Sequence, residues 1–339
     1  MMSARFLTVV LERAFNMRDG FGREIDYMRI SVIDSCNLNC YYCNPCDNNE
    51  HCHALNILSV KEVLCIVRAA TRLGIKHFRL TGGEPLLHPQ LDEMVLQIKK
   101  ISGVSSVSLT TNAVLLAQHA KWLKEAGIDS INVSLDTIDA SEYERITKKP
   151  LLEEVKHGIN AAIECGIRVK INVVLTPQTD VVALTRYVAK KGTDIRFIEM
   201  MPVGEGHTNG VEPYKKVIGT LSKLYGEPCR INTEKTKEIN SGNDKRKIPD
   251  NGPAEYYIFP ELGIRVGLIQ AIHGKFCDTC NRIRVTADGR LMPCLGSSVT
   301  MDLVPDSCEF TDDLEKDFVI VQALKAAIKA KPGCHNFND

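Results

Sequence analysis

The chain has 339 residues, and 42 Lys and Arg balance 42 Asp and Glu, so no bulk field favours nucleic acid or an anionic membrane. Hydrophobic residues make up 44% and charged residues 25%, which suits a soluble globular protein with one large domain or a domain plus a substantial extension. Any anionic ligand must then be held by a few placed basic side chains.

Residues 1–26 read as an N-terminal arm. Its apolar run Phe6–Leu11 is cut off by Glu12 and Arg13, too soon for a signal peptide, and no transmembrane span is visible, so a cytoplasmic location is expected. From about Tyr27 short β-branched runs alternate with amphipathic stretches. The strand-like runs are Met28–Ile33, His77–Leu80, Val104–Thr110, Ser130–Leu135, Arg168–Leu175 and Ile195–Glu199. Between them lie the helical patterns Val60–Leu73, Leu91–Ile101, Leu115–Ala126, Glu153–Cys165 and Val181–Lys190. Gly74, Gly127 and Gly166 stand just past three of these, where a left-handed cap is wanted. Such repetition means a parallel sheet, and six units fall short of the eight of a closed barrel. The expected fold is an α/β open partial (β/α)6 TIM-like barrel over 27–201, with a C-terminal α+β extension over 202–339. Residues 204–254 are polar and read as loop, notably Asn240-Ser-Gly-Asn-Asp-Lys-Arg-Lys. Two strand-like runs follow, Glu255–Phe259 and Ile264–Ile269.

Thirteen cysteines is a high count for a chain without an export signal, and clustered cysteines in a reducing cell point to metal or catalysis. Cys36-x3-Cys40-x2-Cys43 follows the first strand, at the sheet face where catalytic groups of parallel folds gather. Three thiolates suit a 4Fe-4S cluster with one iron left open, whereas structural zinc closes its shell with four ligands. The plainer alternative is a zinc site completed by Cys46, His51, Cys52 or His53; that segment also reads as a loop with exposed thiols. Thr81-Gly-Gly-Glu-Pro85 follows the second strand, with glycines that let a backbone edge approach a ligand and Glu84 able to meet an ammonium group. Cys277-x2-Cys280-x13-Cys294 is a second trio, with a zinc knuckle using His273 as its alternative. Arg282 and Arg284 between its ligands point to one face of an extended segment and suit phosphate oxygens. Cys65 and Cys165 read as core residues, and Cys229, Cys308 and Cys334 have no assigned role.

Taken together, several motifs resemble radical S-adenosylmethionine (SAM) enzymes. They are Met28-Arg-Ile-Ser-Val-Ile-Asp-Ser-Cys-Asn37, Tyr42-Cys-Asn-Pro45, Arg79-Leu-Thr-Gly-Gly-Glu-Pro-Leu86, Leu109-Thr-Thr-Asn112, Ile131-Asn-Val-Ser-Leu-Asp136 and Arg196-Phe-Ile-Glu199. The ordered set resembles one branch, the GTP 3',8-cyclases of molybdenum cofactor biosynthesis, from about Arg29 to Phe337. That resemblance implies two 4Fe-4S clusters, on Cys36, Cys40 and Cys43 and on Cys277, Cys280 and Cys294. It implies SAM contacts at Tyr42, Gly83, Glu84, Ser134 and Met201, and GTP contacts at Arg29, Arg79, Thr110, Lys170, Arg196, Arg282 and Arg284. The partners implied are an electron donor such as flavodoxin or ferredoxin and a downstream cyclic pyranopterin monophosphate synthase, with the enzyme as a homodimer.

The sequence departs from the family's pattern in places. Ser35 stands where a basic residue is usual, Ala113 where Gly is, and His77 where a lysine that helps hold the triphosphate is, which would make the anion grip pH-dependent. The family's Gly-Gly ending is replaced by Asn338-Asp339, whose charges are expected to stay out of a triphosphate site. Two alternatives therefore stand beside GTP cyclisation: a related radical SAM enzyme acting on another nucleotide or a peptide, and a non-catalytic zinc-binding protein.

Overall fold

The computed structural model describes residues 17–43, 56–207, 210–231, 252–297, 299–303, 313–335 and 337. The alternation in the sequence becomes strand–helix units: β1 (Tyr27–Ser31), α1 (Val60–Arg72), β2 (His77–Thr81), α2 (Leu91–Lys99), β3 (Ser106–Thr111), α3 (Leu116–Glu125) and β4 (Ser130–Ser134). They continue with α4 (Ala140–Thr147), α5 (Leu152–Glu164), β5 (Val169–Val174), α6 (Val181–Lys190) and β6 (Asp194–Ile198). Helix α1 starts on a reciprocal Ser59–Glu62 capping box and buries Val63, Ile66, Val67 and Ala70 against the sheet. Gly74, Gly127 and Gly166 take positive φ just past their helices, as expected.

Period-two alternation sorts each strand's side chains. Val107, Leu109, Ile131, Val133, Ile171 and Val173 are fully or almost fully buried and form the core with the helices. Their neighbours Ser106, Ser108, Ser130, Asn132, Lys170 and Asn172 face the other way and line a cavity inside the curled sheet. The hydrophobic effect holds the helices on the outside and leaves the inside polar.

The C-terminal region adds α7 (Gly219–Tyr225), β7 (Cys229–Ile231), β8 (Glu255–Ile258), β9 (Arg265–Ile269), β10 (Arg282–Val285), β11 (Arg290–Met292), β12 (Met301–Asp302) and α8 (Asp313–Lys329). All its strands join the same sheet, in the order β12-β11-β10-β1-β2-β3-β4-β5-β6-β9-β8-β7. Strand β10 pairs parallel with β1, and β9 parallel with β6, so the repeat's six strands gain one parallel neighbour on each side. The ring stays open, because β10 and β9 turn to antiparallel partners, β11 and β8, on their far edges.

Two segments differ from expectation. Part of the stretch predicted as loop is helical: a turn over Tyr214–Ile218 leads into α7, because Val217, Ile218 and Leu221 recur at helical spacing between lysines and are buried. Helix α4 also went unpredicted, although Asp139 caps its first turn through the amide of Glu142. Residues 232–251, the segment 44–55 with Cys46, His51, Cys52 and His53, and the terminal Asn338-Asp339 lie outside the described residues. Among the described residues no helix is long and apolar enough to cross a membrane.

Candidate active site

The first cysteine trio sits on the loop after β1. Cys36 and Cys43 are exposed, Cys40 is half-buried, and none is in a disulfide. Two backbone anchors shape this loop: the amides of Asn39 and Tyr41 donate to the carbonyls of Thr147 and Ile146 at 3.0 and 3.1 Å. These are the last, otherwise unpaired carbonyls of α4, so the unpredicted helix positions the trio. The Asn112 amide donates to Asn37 Oδ1 at 2.7 Å and approaches Cys36 Sγ at 3.8 Å. Tyr42 donates its hydroxyl to Asp136, whose carboxyl burial pushes up to about 6. Burial likewise raises Cys36 and Cys43, and together with Asp136 and the sister thiols pushes Cys40 up to about 12. A bound cation reverses that order, because a coordinating thiol is deprotonated outright. A set of three accessible thiols with no fourth donor in the loop's described part fits a cluster that keeps one iron open.

The Thr81–Pro85 loop locks onto this trio. The amides of Gly83 and Glu84 donate to the carbonyls of Ile33 and Ser35, each at 2.8 Å. A Cβ on Gly83 would stand 2.2 Å from the Ser35 carbonyl oxygen, and one on Gly82 would stand 2.4 Å from that of Ile33. The close approach these glycines permit is to the chain's own backbone, not directly to a ligand. Glu84 is corrected too. It is fully buried, and its carboxylate accepts from Leu86 N at 3.0 Å, Thr111 Oγ1 at 2.6 Å and Asn112 N at 2.7 Å. It clamps two loops together instead of reaching a ligand's ammonium. Replacing Glu84 with Ala is expected to cost on the order of 3 kcal/mol of stability or more, since each stranded buried donor costs about 1–3 kcal/mol. Chemical denaturation checks this, and a loss below about 1 kcal/mol would remove the clamp.

The cavity inside the sheet has a volume of about 300 Å³. Arg29 pairs in register with Arg284 on one side and Arg79 on the other, so three guanidinium-bearing residues stand at one level of adjacent strands. Arg282 is two residues along on the same face, and all four line the cavity. Among the described residues the main charges acting on Arg29 are Arg284, Tyr27, Arg79 and Arg282, and those on Arg284 are Arg282 against the Cys280 and Cys294 thiols and Tyr27. Burial and Arg284 drive Arg29 well below its ordinary value, while burial and Arg282 push Arg284 down to about 10. Burial would raise the Tyr27 phenol, yet Arg79 and Arg29 outweigh it and hold it below its usual value. Four arginines packed this closely, with mutual repulsion pressing on Arg29 and Arg284, make an anion site.

Lys170, Arg196 and Met201 also line the cavity, as does Asn172, which accepts from Arg196 Nε at 2.9 Å. Thr110 is held 3.3 Å from Arg79 Nη1, outside the lining itself, and Ser134 is the exposed end of β4. His77 is not itself in the lining, but its ring bonds Ser106, which is, at 2.8 Å, and burial lowers its pKa. Ser106, Ser108 and Ser130 line the cavity and were not predicted; the alternation of their strands was the available signal.

All three cysteines of the second trio line the same cavity. Cys277 opens a turn before β10 and Cys294 follows β11. Burial would raise Cys280, but Arg282 and Lys331 outweigh it and lower its pKa. The C-terminal tail fastens the trio. Lys331 Nζ donates to the carbonyls of Arg282 and Pro293, each at 2.9 Å. Arg23 from the N-terminal arm donates to the carbonyls of Cys277 at 2.7 Å, Pro332 at 2.6 Å and Gly333 at 3.0 Å. His273, the zinc alternative's fourth ligand, instead bonds Glu199, whose other oxygen accepts from the amide of Ile272 at 2.7 Å.

Residues 30–183 match the Radical SAM superfamily, and residues 193–337 match the family described as Molybdenum Cofactor Synthesis C. Over 324 residues the chain is 35% identical to the GTP 3',8-cyclase of Clostridium perfringens strain SM101, covering 95% of each. It is 37% identical to the GTP 3',8-cyclase of Peptoclostridium acidaminophilum over 328 residues, 95% of this chain and 94% of the relative. Among solved structures, Streptococcus suis SuiB superposes on 88% of the chain with a TM-score of 0.57 at 15% identity. The chain spans 65% of SuiB's length, and the likeness is one of fold.

Proposed function

We infer the activity of this chain from the family it belongs to, the GTP 3',8-cyclases of the radical SAM superfamily. The chain converts GTP to (8S)-3',8-cyclo-7,8-dihydroguanosine 5'-triphosphate in molybdenum cofactor biosynthesis, with 5'-deoxyadenosine and methionine as by-products. The observation that carries this reading is the file of Arg284, Arg29 and Arg79 across adjacent strands, with Arg282 beside them, in a cavity the second cysteine trio lines. A triphosphate is the kind of ligand that relieves so concentrated a positive charge.

When held by Cys36, Cys40 and Cys43, a 4Fe-4S cluster supplies the electron that cleaves SAM and so the hydrogen-abstracting 5'-deoxyadenosyl radical. Tyr42, Gly83, Ser134 and Met201 border the SAM position, with Tyr42 fixed by Asp136, while Glu84 acts through the loops it clamps. Arg29, Arg79, Lys170, Arg196, Arg282 and Arg284 hold GTP, with Thr110 steadying Arg79. They orient the ribose so that its C3' hydrogen is the one removed and C3' can bond to C8 of the purine. Cys277, Cys280 and Cys294, which line the same cavity as the arginines, would hold a second 4Fe-4S cluster. On this reading residues 27–201 generate the radical, residues 202–339 complete the substrate site, and Arg23 of the N-terminal arm ties the tail down. A flavodoxin or ferredoxin supplies electrons, and a cyclic pyranopterin monophosphate synthase takes the product. The enzyme works as a homodimer in the cytoplasm.

Anaerobic turnover with SAM, a reductant and each nucleoside triphosphate in turn tests the assignment. GTP alone should give 5'-deoxyadenosine together with an isomer of itself. A product from another nucleotide and none from GTP would replace the assignment with a related radical SAM activity. Zinc in place of iron and sulfide would replace it with the binding-protein alternative.

A further inference from the structure

Cys334 belongs to neither trio, yet its Sγ lies 3.6 Å from Cys277 Sγ. Ligand atoms of Cys277, Cys334 and His335 all fall within 4.8 Å of one another. We propose that these three residues form a mononuclear site for a thiophilic divalent cation of the Zn2+ class, sharing Cys277 with the second trio.

The spacing suits one ion. Two thiolates on a tetrahedral zinc, with bonds near 2.3 Å, stand about 3.7–3.8 Å apart. A 4Fe-4S cluster gives each thiolate its own iron, so two sulfurs this close suit one ion better than two corners of a cluster. The imidazole is prepared as well. His335 Nε2 lies 2.7 Å from the carbonyl of Ala271, which only accepts, so Nε2 carries the proton and Nδ1 the lone pair. A ligating histidine is commonly oriented in this way, its other N–H donating to a backbone carbonyl. That lone pair accepts from the Phe337 amide at 3.3 Å, a bond that the ion would replace. The segment is held in place by the bonds of Arg23 to Pro332 and Gly333 and of Lys331 to Arg282 and Pro293. Cys334 is exposed, which gives the ion an entry path and leaves room for water as fourth ligand. Binding displaces the two thiol protons to solvent, while the imidazole binds neutral.

Filling both centres at once would require the Cys277 sulfur to bridge them, so the site is proposed for the chain without its second cluster. That clause rests on Cys277 being a cluster ligand, as proposed above.

The test uses the full chain with Ala at Cys36, Cys40, Cys43, Cys46 and Cys52, so that the N-terminal cysteine cluster cannot take up the metal. Iron is removed anaerobically with a chelator and Co2+ is titrated in. The expected result is one Co2+ per chain, with sulfur-to-cobalt charge-transfer absorption and the intense visible bands of tetrahedral cobalt. Cys334→Ala and the size-matched Cys334→Ser should each weaken binding by roughly 100-fold, the upper end of what losing even a supporting partner costs. The double change Cys280→Ala/Cys294→Ala should leave the spectrum unchanged, and circular dichroism confirms that each variant is folded. The reverse pattern, with cobalt lost on changing Cys280 and Cys294 and kept without Cys334, overturns the site. In the cluster-loaded enzyme no Co2+ should bind there. Uptake with iron content intact, lost again in Cys334→Ala, would mean that Cys277 bridges the two centres or is no cluster ligand, and in either case the new site stands.

Discussion

A chain with Cys36, Cys40 and Cys43 all changed to Ala is expected to lose SAM cleavage completely and about half its iron, from about eight atoms to about four. The expectation rests on geometry that separates the trios. The first stands on the loop after β1, anchored to the end of α4 through Asn39 and Tyr41. The second lines the cavity at β10 and β11, anchored by Lys331 and Arg23. Neither anchor uses a residue of the other set, so emptying one should leave the other able to load. The companion change of Cys277, Cys280 and Cys294 should remove the other half of the iron and spare uncoupled SAM cleavage. Iron and sulfide analysis with a 5'-deoxyadenosine assay reads both results. Surviving SAM cleavage in the first variant would be fatal to the radical SAM assignment.

Changing Arg284 to Ala should weaken GTP binding by about 1.5–3 kcal/mol, the range for a hydrogen bond to a charged group, or about 10–150-fold in affinity. Arg284 stands beside Arg29, and after burial the largest influence on it is repulsion from Arg282. Removing it therefore also relieves repulsion in the ligand-free chain, whose melting temperature should not fall. The pairing of weaker binding with undiminished stability distinguishes a ligand-directed arginine from a structural one, since a structural arginine loses stability when removed. SAM cleavage without GTP should persist, because the first trio is untouched. An unchanged GTP affinity by calorimetry would take Arg284 out of the site.

The repeat of strands and helices was readable because aliphatic residues alternate with polar ones in Ser106–Thr111 and Ser130–Ser134 and recur at helical spacing between them. The cysteine trios and the Arg282/Arg284 pair stood out by their spacing, but spacing left zinc sites open, and the resemblance to the family is what pointed to clusters and a triphosphate. Partnerships that depend on distant chain segments were not. Nothing local to Glu84 says that its carboxylate will be used up by Thr111, Asn112 and Leu86. Nothing local to Cys334 says that it will meet Cys277 across 57 positions of sequence. The outer strand β9 was legible as Ile264–Ile269, but the parallel places of β9 and β10 beside the repeat escaped for a related reason. In sequence Arg282–Val285 looks like a spacer between ligands, and only its pairing with β1 makes it part of the barrel.

That pairing has a consequence for how the protein is made. Strand β1 emerges early from the ribosome, but its partner β10 emerges far later; the neighbouring bond from Asn281 to Asp26 spans 255 positions. At about 5–20 residues per second, one edge of β1 stays unpaired for roughly 10–50 s of synthesis. An uncovered edge of this kind can recruit strands from other chains. Crowding of nascent chains, low temperature or slow codons between β2 and β10 should therefore lower the soluble yield more than the same delay placed after β10.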